Sequence, residues 1–128
     1  MPYKNLKALP VYNKALDLCF LSREIVSYIT YRRDLRNLYK SNKHRDIIAD
    51  SILTDAILIS KKIALAEHSD SNTTKRNSAL HINIMTKNIL SYCLGLEKDG
   101  LKEKEYINLL RNEIKSFRKA YKQWSIAL

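Results

Sequence analysis

The chain has 128 residues, room for one domain with a real core and too few for two. A hydrophobic share of 45% excludes bulk disorder, and 2 Gly exclude a glycine-rich phosphate loop. Lys+Arg 23 against Asp+Glu 13 leaves +10, a field that draws phosphate backbones or anionic membranes and says nothing about fold.

Both prolines lie within the first ten residues, and apolar spacing near 3.6 fills the long stretches without Gly or Pro. The chain therefore reads as helix almost throughout. Residues Met1 to Leu9 form a lead-in, and Pro10 suits the first turn of a helix running to about Tyr31. Val11, Ala15, Leu18, Ile25 and Ile29 mark one apolar row on it, with Tyr12, Leu16, Cys19 and Val26 adjoining.

From Tyr31 to Arg45 the character changes. Arg32, Arg33, Arg36, Lys40, Lys43 and Arg45 stand against the single acid Asp34, a net +5 over fifteen residues. Ser41-Asn42 is the turn-like dipeptide here, and the bend is expected beside it. The run is either a solvated connection or a second phosphate-contacting patch, in which Arg supplies a bidentate grip.

A second helix is expected from about Lys43 to Ala66, with Ile48, Ile52, Ala56, Ile59 and Ile63 in register. Asp46, Asp50 and Asp55 weight its first half with acid, as the helix dipole favours. His68 to Asn72 reads as a turn, and Ser69 to Ser71 offer caps for a third helix from about Thr73 to Leu96. Its apolar row is Ile82, Met85, Ile89, Cys93 and Leu96, with Leu80, Ile84 and Leu90 adjoining. Asp99-Gly100 closes it, Gly100 being free to take a positive φ.

The fourth helix, from about Lys102 to Trp124, carries two stripes. Tyr106, Leu110, Ile114, Phe117, Tyr121 and Trp124 recur at core spacing, and Arg111, Lys115, Arg118, Lys119 and Lys122 line up beside them. Four similar helices on short turns predict an all-α, up-and-down antiparallel four-helix bundle spanning 1–128 as a single domain. In that order, Lys122 and the Arg32 to Arg45 turn fall at opposite ends of the bundle.

Enzyme constellations are missing. A di-iron bundle needs Glu-x-x-His pairs, and none of His44, His68 or His81 has a Glu three residues before it. Cys19 and Cys93 are isolated in apolar helical contexts, which fits buried thiols in a reducing compartment. No catalytic residue, metal ligand or cofactor is expected. The N-terminus lacks an apolar signal region and no run approaches the ~20 apolar residues of a membrane span, so the chain reads as cytoplasmic.

The opening Asn5-Leu6-Lys7-Ala8-Leu9-Pro10-Val11-Tyr12-Asn13-Lys14-Ala15 resembles the start of a bacterial four-helix-bundle family. That family includes proteins encoded by intervening sequences in large-subunit ribosomal RNA genes. It also includes the accessory variability determinant of diversity-generating retroelements. In the accessory proteins a basic segment similar to Lys43-His44-Arg45 opens the second helix, and a tryptophan like Trp124 stands near the end of the fourth. The chain departs from the pattern in two places. Lys122-Gln123 replace the glycines that usually precede that tryptophan, and Ile63-Ala64-Leu65-Ala66-Glu67 only echoes the Asn-Ile-Ala-Glu-Gly motif of the intervening-sequence branch. The resemblance implies a homopentamer with a basic surface that binds nucleic acid and partners a reverse transcriptase during mutagenic retrohoming.

Three functions fit this pattern. The first is a non-enzymatic accessory protein binding RNA or DNA with little sequence specificity, its phosphate contacts being Arg32, Arg33, Arg36, Lys40, Lys43, Arg45, Arg111, Lys115, Arg118, Lys119 and Lys122. The second is a protein-interaction or structural bundle whose basic surface meets an acidic partner. The third is a binder of anionic membranes, which needs an apolar face exposed beside the cations.

Overall fold

The computed structural model describes residues 5–30 and 43–128. Among them a short 3-10 turn, Leu6–Ala8, leads into four α-helices. These are α1 (Pro10–Ile29), α2 (His44–His68), α3 (Asn72–Lys98) and α4 (Lys104–Ile126). Each packs on the one before it, and α4 returns beside α1, resting more sparingly on α3. This is the expected all-α four-helix bundle, with helix ends within about two residues of those expected.

Local chemistry accounts for the boundaries. Leu9 is extended, Pro10 opens α1, and the Leu9 carbonyl accepts the amides of Tyr12 and Asn13 at 3.1 and 3.2 Å. The Asn13 side chain donates to the Lys7 carbonyl at 2.7 Å and ties the lead-in to α1. Ser71 caps α3, its hydroxyl accepting the Thr74 amide at 3.2 Å. Gly100, at φ +85°, turns the chain out of α3 in a conformation that costs other residues a Cβ clash. Inside α3, a Cβ on Gly95 would lie 3.3 Å from Ile48 Cδ1, so glycine here leaves room for the Ile48 side chain of α2.

The buried side chains form one cluster. Leu18 of α1, Ile52, Ile59 and Ile63 of α2, Ile82, Ile89 and Leu96 of α3, and Ile107, Leu110, Ile114 and Phe117 of α4 are fully enclosed. Each contributes roughly 1.5–3 kcal/mol relative to an exposed position. The apolar stripe expected on α4 is core as read, with Tyr106 and Tyr121 at its half-buried edges.

One expectation is corrected. The sequence pattern sets Leu80 and Ile84 beside the core row of α3, yet they are 56% and 52% exposed. At ~100° per residue Leu80 lies half a turn from the buried Ile89, and a bundle helix with two neighbours encloses only part of its circumference.

Candidate nucleic-acid interface

Arg32, Arg33, Arg36, Lys40 and the expected bend at Ser41-Asn42 lie outside the described residues. The remaining predicted cations fall into two groups at different places on the bundle.

The first group opens α2. Lys43 precedes the helix and is exposed. Arg45 Nε donates to Asp99 Oδ2 at 3.2 Å, and His44 Nδ1 lies 3.4 Å from Asp99 Oδ1. These hydrogen bonds, His44 first and then Arg45, hold the Asp99 carboxyl below the usual carboxylate range. The turn that closes α3 is thus pinned to the start of α2, and Arg45 already has a carboxylate on it.

The second group is the α4 stripe. Arg111 to Lys122 spans twelve residues, about 16 Å along the axis. Arg111, at its upper end, pairs with Glu97 of α3. That contact holds the Glu97 carboxyl down and raises the Arg111 guanidinium. Behind it the buried Cys93 thiol is pushed up to about 11, by burial above all, with Arg111 acting in the opposite sense. Further along, Lys115, Lys119 and Lys122 are exposed and Arg118 is half-buried. Among the described residues no carboxylate stands within ion-pair distance of these four.

The stripe faces the α3 side of α4. Arg111 reaches Glu97, and the Tyr121 hydroxyl donates to the Ala79 carbonyl of α3 at 2.7 Å. Burial raises the Tyr121 phenol, and the nearby Arg118 charge opposes it, which sets Arg118 beside the same seam. The other flank of α4 belongs to α1, where Tyr106 and Leu109 meet Leu21 and Tyr28 around an apolar hollow. Trp124 closes the far end, its indole N–H donating to Glu67 of α2 at 2.7 Å.

Sequence reasoning missed the contribution of α3. Lys75 and Arg76 add cations beside the end of α4, Lys87 adds another further along α3, and no acid occupies the first turn of α3. That absence was the available signal. A helix start favours acids by about 0.3–1 kcal/mol, so cations there work against the fold and call for another reason.

Charge is consequently segregated. Within the helix spans, α1 and α2 hold five Lys/Arg and six Asp/Glu, a net −1. Helices α3 and α4 hold ten Lys/Arg and three Asp/Glu, a net +7. Among the described residues no His/Cys/Asp/Glu group is arranged to hold a metal ion, and no helix is long and apolar enough to cross a membrane. No family model, curated protein or solved structure matches this chain.

Proposed function

We propose that this is a non-enzymatic accessory protein that binds RNA or DNA through the outer face of α3 and α4, largely without sequence specificity. The charge segregation carries it: +7 on one helix pair and −1 on the other, with Lys115, Arg118, Lys119 and Lys122 unneutralised. Solvation alone has no need of such one-sidedness, whereas a phosphate backbone does. Lys43 and Arg45, with Arg32, Arg33, Arg36 and Lys40, extend the contact toward the other end. Arg111 acts in it while held by Glu97. Nothing in the set provides a base-reading element, so affinity follows phosphate number.

By the resemblance of its opening segment, of Lys43-His44-Arg45 and of Trp124, the partner is a reverse transcriptase in a diversity-generating retroelement. The same resemblance implies a homopentamer, and the sequence pattern favours the cytoplasm as its place of work. About six neutralised phosphates give a slope of log K against log salt near −5. A salt titration of binding to a random-sequence oligonucleotide tests this, and salt-insensitive binding, or none at low salt, overturns it.

A second reading has its own support. Leu80, Ile84 and Leu94 are exposed on α3 around Lys87, and apolar side chains among cations suit an acidic protein surface. Scoring nucleic-acid binding and partner capture separately in an Arg118→Glu/Lys119→Glu variant separates the two.

A further inference from the structure

We infer that the hollow between the first turns of α3 and the last turn of α4 is a phosphate-binding site. It is about 270 Å³ in volume and is lined by Asn72, Lys75, Arg76, Ala79, Ser125 and Leu128. That is slightly below the range for drug-sized ligands and ample for a phosphate group. Its lining suits an oxyanion. Lys75 and Arg76 supply two cations from adjacent positions, Asn72 an amide and Ser125 a hydroxyl that here donates to the Lys122 carbonyl at 3.1 Å, and no Asp or Glu lines it. Buried Ala79 is its floor, and the Ala79 carbonyl that would repel an anion already accepts the Tyr121 hydroxyl at 2.7 Å.

The hollow lies where the α4 stripe ends, so a strand following Lys115, Arg118 and Lys122 is led into it. For the nature of that strand the site rests on the nucleic-acid function proposed above. The anion chemistry stands without it. A phosphate within a strand and one at its end present the same oxygens, so the probe has to tell them apart.

The first probe is inorganic phosphate alone, titrated into the full chain and followed by amide chemical shifts. Saturable shifts confined to residues 72–79 and Ser125 are expected, weakened about tenfold in Arg76→Ala and largely restored in Arg76→Lys. Arg76 is exposed, so the fold tolerates both changes. Shifts spread over every cationic surface, or unchanged in Arg76→Ala, overturn the site. The second probe is a short single-stranded RNA with and without a 5′-phosphate. Tighter binding of the phosphorylated strand, lost in Arg76→Ala, assigns the hollow to a strand end. Equal binding, weakened alike in Arg76→Ala, assigns it to an internal phosphate. RNA binding that ignores Arg76, together with phosphate shifts that ignore it too, removes the site and leaves the function standing; phosphate binding without RNA binding does the reverse.

Discussion

Helices α1 and α2 and helices α3 and α4 share one core and differ in what they show outside. The first pair is near neutral, its Lys14, Arg23, Lys61 and Lys62 balanced by acids on the same helices. The second pair has only Glu97, Glu105 and Glu113 as acids, Glu97 being paired with Arg111, and leaves a row of Lys and Arg unmatched. Packing asks nothing of the outer positions in either pair, and the charge difference therefore reports on partners rather than on stability. The seams differ as well: α2 and α3 pack extensively, Ile48 fitting against Gly95, whereas α3 and α4 touch more sparingly and are bridged by side chains. The cationic face is the less tightly built one.

The shared core can be broken first. Phe117→Ala removes a fully buried ring from the centre of α4 and should cost about 3–5 kcal/mol in denaturant unfolding. Both halves should melt together, since one cluster serves all four helices. The outer difference breaks separately. Arg118→Glu/Lys119→Glu should weaken oligonucleotide binding at 0.15 M salt by at least about thirtyfold and flatten the salt slope by about two. Lys61→Glu/Lys62→Glu on α2 should change binding by less than about threefold. Equal losses in the two variants would show that the charge acts as a diffuse field with no preferred face.

Much of the bundle was legible because α4 repeats its pattern cleanly: five charges and six apolar residues separate into two stripes at helical spacing. Helix α2 was less so, since Ile47, Leu58 and Leu65 are exposed and widen the apparent core row, as Leu80 and Ile84 do on α3. Period marks a helix, but the number of neighbours decides how much of its circumference is enclosed. Pairings between helices lay further out of reach. Arg111 with Glu97, Arg45 with Asp99 and Trp124 with Glu67 depend on how helices settle against each other. The unequal charge of the two helix pairs was countable from the sequence, once helices rather than the whole chain were the unit.

Trp124 sharpens the comparison at the far end of the bundle, where it ties α4 to α2. Trp124→Phe keeps most of the buried ring and leaves Glu67 without the indole N–H. The loss should be about 1–2 kcal/mol in thermal or denaturant unfolding, with binding to the α3–α4 face little altered below the melting range. A neutral result would mean that Glu67 finds equivalent solvation on its own.

The smallest effect opposes two sets of carboxylates through pH. Glu97 and Asp99 are held below their ordinary range by hydrogen bonds, from Arg111 and from His44 with Arg45 respectively. They stabilise the fold above the unfolded carboxylate range, and that stability fades as pH falls through it to their lowered values. Asp55 behaves in the opposite sense. Burial raises its carboxyl against a hydrogen bond from Asn88, and its Oδ2 has no partner among the described residues. Its charged form is disfavoured in the fold, so its cost develops as pH rises from the ordinary carboxylate range through the raised value. Asp55→Asn should then stabilise the protein at pH 7 by about 1 kcal/mol, and the gain should vanish near pH 3, where the native carboxyl is neutral. Residue-resolved hydrogen exchange at the two pH values should show the α3–α4 turn loosening in acid while the α2–α3 contact around Asp55 firms. A stabilisation by Asn that persists unchanged at pH 3 would place its origin in packing, and the buried charge would drop out of the account.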